Sequence, residues 1–262
     1  MTGVGLARRA AKAAVWPAGV ATRRRPGDVV ILLYHRVGHG REEIEISRSA
    51  LARQLSWLRQ HDRVLSLEQA LTGRSDGGVV LTFDDGYRDF HDEVIPMLQE
   101  HGLPATLYLA TGLVEGRAAS DGRPRLSWDQ LRDALSTGLV TVGAHTHSHK
   151  DLSRATESQC EAEMRRSKEL IEDRLQVACR HFAYPFAVSS EAAERVARRM
   201  FASAAVDAWR TNRLGRMDLH RLGRTPVLSS DGWTFFRAKV AGRLDGEAWL
   251  YRALRRGPWG KG

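Results

Sequence analysis

Residues 78–87 read Gly-Val-Val-Leu-Thr-Phe-Asp-Asp-Gly-Tyr. An apolar run with no polar alternation is the pattern of a strand buried on both faces, as in a parallel sheet. Here it ends abruptly in two carboxylates and a glycine. Successive strand residues point opposite ways, so Asp84 and Asp85 can share one mouth only where the strand gives way to a turn, which Gly86 supplies. Side by side without a cation, both would resist ionising. A divalent metal held by one of them removes that penalty and lowers the pKa of the other. The alternative is that the pair caps the helix predicted over residues 87–101, whose positive end suits carboxylates.

Outward from this stretch, short apolar runs alternate with helical patterns. Strands are predicted at residues 29–34, 63–66, 78–83, 105–110, 139–144, 181–184, 201–206 and 225–228. Helices are predicted at 49–60, 67–71, 87–101, 127–135, 157–175, 190–200 and 233–242. Such alternation implies a parallel sheet covered by helices, and the number of repeats favours an α/β barrel over an open sheet. No glycine-rich phosphate loop follows any strand, which argues against nucleotide binding.

Three further motifs sit at predicted strand ends, where parallel α/β folds gather their active sites. Gly143-Ala144-His145-Thr146-His147-Ser148-His149 places His145 and His149 four apart, so one helix-like turn would aim both at one ion and turn His147 away. Its alternative is a histidine-rich surface loop. Asp85 with His145 and His149 would leave coordination open for water and substrate, as a catalytic site requires. Arg180-His181-Phe182-Ala183-Tyr184-Pro185-Phe186 offers aromatics that could wall a groove for a sugar ring or simply fill a core. Leu33-Tyr34-His35-Arg36-Val37 ends the first strand with a histidine that is either structural or catalytic.

Taken together, Thr82-Phe83-Asp84-Asp85-Gly86, His145-x-x-x-His149 and Phe182-Ala183-Tyr184-Pro185-Phe186 resemble the motifs of the polysaccharide deacetylase family, the NodB-homology proteins of carbohydrate esterase family 4. Leu33-Tyr34-His35-Arg36-Val37 is similar to one branch of it. The resemblance covers about residues 29–228. It implies a distorted (β/α) barrel of about seven parallel strands, flanked by a basic N-terminal extension (1–28) and a C-terminal helical basic extension (229–262). It implies a hydrolase that removes N-acetyl groups from a polysaccharide, oligosaccharide or glycolipid. In it, Asp84 would be the general base and Asp85, His145 and His149 would hold one divalent metal. Zinc is the default; cobalt, nickel or iron would also suit two imidazoles and a carboxylate. Tyr184, Pro185 and Phe186 would border the substrate, with a backbone N–H near Tyr184 at the oxyanion. The sequence departs from the family pattern at Ala183 and Ala187, where arginine and glycine are frequent, and has no late Leu-x-His motif. His35, then His220, are the candidates for the general acid, and Arg224 for the missing arginine that orients Asp84. The same departures admit a catalytically silent glycan- or metal-binding protein on this fold.

Composition narrows the remaining classes. With 42% hydrophobic and 27% charged residues, disorder, collagen and coiled coil are excluded. Two cysteines, Cys160 and Cys179, exclude a disulfide framework and are expected as buried free thiols. The net charge of +9 sits at the ends: residues 1–25 carry +6, residues 237–262 carry +5, and the rest sum to −2. This allows peripheral contact with an anionic membrane face. With no recognised nucleic-acid motif, a nucleic-acid partner is not expected. The best signal-like run, residues 13–21, is short, broken by Pro17 and Gly19, and followed by three arginines. A cytoplasmic protein is therefore expected rather than a secreted one.

Overall fold

The computed structural model describes residues 24–39, 42–73, 76–116, 121–207 and 210–242. Seven parallel strands close on themselves: β1 (Asp28–Tyr34), β4 (Gly78–Asp84), β5 (Ala105–Leu109), β6 (Val140–Ala144), β7 (His181–Ala183), β8 (Ser203–Asp207) and β10 (Leu222–Pro226), which pairs back onto β1 through Ile31–Arg224, Leu32–Thr225 and Leu33–Pro226. The two-residue β9 (Asn212–Arg213) runs antiparallel along the start of β1. A separate ribbon pairs β2 (Arg36–Gly38) with β3 (Glu45–Ser47) directly after β1. The barrel is distorted at β6–β7, where the register is a single pair, Ala144–Phe182.

Alternation along the strands separates two cores. Val79, Leu81 and Phe83 of β4 face outward into a large cluster under the helices, while Val80 faces the barrel interior with Val29, Ile31, Ala183, Ala205 and Leu222. The same alternation turns Thr82 and Asp84 inward. Outside lie α1 (Arg48–His61), α2 (Leu67–Leu71), α3 (Ile95–His101), α4 (Thr111–Val114), α5 (Trp128–Ser136), α6 (Glu157–Leu175), α7 (Glu191–Met200) and α8 (Trp233–Val240). On α1, Leu51, Leu55 and Leu58 form one stripe with no exposed surface; each such leucine contributes roughly 1.5–3 kcal/mol by leaving water. Ser66, Ser127 and Thr156 open α2, α5 and α6 with reciprocal capping boxes. Both cysteines are buried and free. No helix among the described residues is long and apolar enough to cross a membrane.

Local expectations are corrected in four places. Residues 63–66 make only the bridge Val64–Val79, because Ser66 is already the cap of α2. The helix predicted from residue 87 begins instead with a π-turn, Phe90–Val94, because Tyr87 bridges Arg125 and Arg88 N–H donates to the Pro124 carbonyl (3.1 Å). The last barrel strand is Leu222–Pro226, not 225–228, since Leu228 enters a turn closed by Asp231. The β2–β3 ribbon was not expected, its strands being three residues long. The predicted extensions fall largely on residues 1–23 and 243–262, outside the described residues.

Candidate active site

Asp84 is the last residue of β4, and the chain turns in the next two residues: Asp85 (φ 72°) and Gly86 (φ 70°) both adopt left-handed backbone. The turn therefore starts one residue earlier than glycine placement predicts. Aspartate tolerates this conformation better than most residues. The two carboxylates thus reach one mouth, and neither caps a helix.

His145 follows β6, and the His-x-x-x-His segment is a loop rather than a helical turn, with Thr146 (φ 61°) and His149 (φ 57°) left-handed. Glu163 on α6 holds it, accepting from the N–H groups of His147 (3.0 Å) and Ser148 (2.8 Å) and from Ser148 Oγ (2.7 Å). His147 points away and pairs with Thr111 Oγ1 (3.0 Å).

The ligand-type atoms of Asp85, His145 and His149 lie within 4.8 Å of one another. His149 Nε2 is 3.1 Å and His145 Nε2 3.5 Å from Asp85 Oδ1, which is buried and receives no well-aligned hydrogen bond. An orphaned carboxylate oxygen facing two imidazole nitrogens fits a cation better than it fits a hydrogen-bond network. His145 Nδ1 is 2.8 Å from the Ala183 carbonyl, which assigns the proton to Nδ1 and leaves Nε2 a lone pair toward the cluster. Burial pushes the His145 pKa down to about 4, with His149 and Arg224 adding to the shift and Asp84 and Asp85 opposing it. For Asp85, burial acts upward, but His149, His35 and His145 hold its carboxyl far below the usual range.

Asp84 stands beside this cluster, its Oδ2 3.7 Å from His145 Nε2. Arg224, inward-facing on β10, donates from Nη1 to Oδ1 (2.7 Å) and from Nη2 to Oδ2 (2.8 Å). Burial works to raise the Asp84 pKa; the guanidinium, with His145 and His35, outweighs it and keeps the carboxyl below its ordinary value. These groups open into a cavity of about 290 Å³ lined by His35, Ile44, Asp84, Asp85, Tyr87, His145, His149, Tyr184, Phe186 and Arg224.

Two sequence expectations change at this rim. Tyr184 N–H donates to the Ala205 carbonyl (3.0 Å), and its ring packs edge-on against Phe182 in the outer core. With Pro185 lacking an N–H, Phe186 is the remaining donor of the three for an oxyanion. Phe186 itself is left-handed (φ 57°), 55% exposed, and its ring lies 4.7 Å from that of His149. His220 precedes β10, at the opposite end of the barrel, with Nε2 on the Phe201 carbonyl (2.9 Å); it cannot reach the cavity, whereas half-buried His35 lines it. Sequence reasoning missed Ile44 and Tyr87 as cavity walls. Tyr87 adjoins the Asp-Asp-Gly turn and could have been suspected; Ile44 carried no signal, because the ribbon that presents it was not foreseen.

The sequence profile of the polysaccharide deacetylase family matches residues 72–204, a little over half of the chain. The chain belongs to the polysaccharide deacetylase family. Polysaccharide deacetylases similar to it include YxkH of Bacillus subtilis (strain 168), named for the same family and 25% identical over 220 residues (80% of this chain, 76% of that protein). The poly-beta-1,6-N-acetyl-D-glucosamine N-deacetylase of Staphylococcus aureus (strain MRSA252) is 25% identical over 160 residues; the match spans 56% of this chain and 55% of that enzyme. Among solved structures, IcaB from Ammonifex degensii superposes with a TM-score of 0.73 at 27% identity, covering 84% of this chain and all of that one. The Streptococcus pyogenes deacetylase PplD, in complex with acetate, shares the fold (TM-score 0.70, 22% identity, 86% and 98% coverage).

Proposed function

We propose that this polysaccharide deacetylase is a metal-dependent hydrolase that removes acetyl groups from N-acetylated sugars of a polysaccharide, oligosaccharide or glycolipid. The observation that carries the reading is the Asp85–His145–His149 cluster, with Asp85 and His145 buried and His149 half-buried, and a second carboxylate, Asp84, beside it at an open cavity. The name of the Staphylococcus aureus relative, an N-deacetylase, supports the acetamide as the bond attacked.

A divalent cation held by Asp85, His145 and His149, with zinc as the default, would supply the positive charge that polarises the acetamide carbonyl and acidifies a water molecule. The chain's own groups do the rest. Asp84, kept ionised and oriented by Arg224, takes a proton from the attacking water. The hydroxyl oxygen adds to the acetamide carbon, and the backbone N–H assigned to the developing oxyanion is that of Phe186, which lines the cavity. As the C–N bond breaks, protonated His35 delivers its proton to the departing nitrogen, leaving acetate and a free amine on the sugar. The exposed Phe186 ring offers a stacking face to a pyranose.

The test is incubation of the full chain with chitooligosaccharide and poly-β-1,6-N-acetylglucosamine, with and without chelator and restored divalent metal. Acetate release and loss of one acetyl group by mass spectrometry are expected only with metal. Glycan binding without acetate release would replace this reading with that of a catalytically silent glycan-binding protein.

A further inference from the structure

Lys239 on α8 is a buried cation, 1% exposed, whose Nζ donates to the Pro226 carbonyl (2.6 Å) and to Asp231 Oδ2 (2.6 Å). Asp231 Oδ2 also accepts from Leu228 N–H (2.8 Å), and Asp231 N–H returns to the Leu228 carbonyl (2.9 Å). The lysine therefore locks a closed turn, residues 228–231, immediately beyond the strand that carries Arg224. Buried pairs of this kind contribute little net stability; their effect is to specify one geometry.

What the turn holds is the lip of the cavity. Ser229 N–H donates to the Glu43 carbonyl (2.9 Å), and Ser230 Oγ donates to Glu43 Oε1. Glu43 precedes Ile44, a cavity wall, and the Ile44 carbonyl accepts from Arg36 N–H (3.1 Å), next in chain to His35. On its other flank Arg36 faces Glu45 (3.5 Å) and Asp89 (3.6 Å). A connected path thus runs from α8 through the turn and Glu43 to the backbone that presents His35.

We propose that Glu43, Ser230 and the Lys239–Asp231 pair are positioning residues: they set the lip so that His35 meets the departing nitrogen. This rests on the role given to His35 above. Its chemical consequence is specific. An amine leaves only with a proton, whereas 4-nitrophenolate leaves from 4-nitrophenyl acetate without one. A displaced lip slows amide cleavage more than cleavage of the activated ester, while general loss of fold lowers both in proportion.

The experiment measures kcat/KM for an N-acetylglucosamine oligomer and for 4-nitrophenyl acetate on the metal-replete full chain. Glu43→Ala and Ser230→Ala are expected to lower the amide-to-ester ratio about tenfold, a fraction of what a general acid contributes. Glu43→Gln, which keeps the acceptor oxygen, is expected to retain the native ratio. His35→Ala added to Glu43→Ala should lower the ratio no further than His35→Ala alone, since both act on one proton transfer. Lys239→Met should lower it as well; because that variant can fail to fold, the lip variants decide. A ratio unmoved in Glu43→Ala and Ser230→Ala overturns the positioning role alone. Absence of amide cleavage by the native chain overturns the deacetylase reading, and this proposal with it.

Discussion

Arg224 and Asp84 are 140 residues apart in the chain and meet fork to carboxylate at 2.7 and 2.8 Å, with 1% and 2% of their side-chain surfaces exposed. The contact exists because β4 and β10 both flank β1, and the alternation of each strand turns these two residues into the barrel. Removing one partner of a buried pair strands the other charge. Arg224→Met is expected to cost about 3–5 kcal/mol of stability, read as a shifted urea midpoint. Arg224→Lys keeps the charge but loses the two-pronged geometry; turnover should fall more than stability does.

Asp84→Asn is nearly isosteric and leaves Asp85, His145 and His149 in place. It should bind divalent metal as the native chain does and lose roughly 10²–10⁴ of its turnover, the usual worth of a positioned base. Acetate release alongside metal content by mass spectrometry checks both halves; full activity would refute the assignment of Asp84.

His145→Ala and His149→Ala should lose the metal itself. Zinc at about 100 times its dissociation constant should stabilise the native chain by roughly 2.7 kcal/mol and leave these variants unshifted. Thermal melting with and without zinc separates the outcomes.

Asp89 offers a pH signature away from the ion cluster. Burial raises its carboxyl to about 6, despite Arg36 and the Val37 N–H pulling downward. Its folded pKa lies above the unfolded one, so the folded state holds this proton more tightly. The resulting penalty is absent below the unfolded pKa, grows through the window between the two pKa values, and is complete above about 6. Asp89→Asn should therefore raise the melting temperature at neutral pH and change it little at about pH 3, below the unfolded pKa, where the carboxyl is mostly protonated in both states. An equal shift at both pH values would contradict the direction of the effect.

Gly143 lies two residues before His145, and a Cβ there would meet the Tyr108 ring at 2.7 Å and the His181 carbonyl at 2.8 Å. Backbone cannot yield as a flexible side chain can. Gly143→Ala is expected to cost about 1–3 kcal/mol and to weaken metal binding by moving His145, measured by calorimetric titration with zinc.

The barrel was legible because its elements are local patterns: the run from Gly78 to Phe83 and the helix from Glu157 to Leu175 are each read over a few neighbouring residues. The ion cluster was legible because each part carries its own motif at a strand end. The lip was not: β2 and β3 are too short for periodicity, and what holds them is contact with residues 229 and 230, far along the chain.

Chain chemistry alone pointed to a parallel barrel with Asp84, Asp85, His145 and His149 at strand ends, since periodicity and strand ends are properties of neighbours in sequence, while a helix cap and a surface loop stayed open as alternatives. Only folding in three dimensions decided that Arg224 rather than solvent would answer Asp84, that His35 would share the cavity while His220 would not, and that Tyr184 would spend its N–H on Ala205. Those outcomes depend on strand register and inward or outward facing across separate strands, and a shift of one residue in a strand would have reversed each of them.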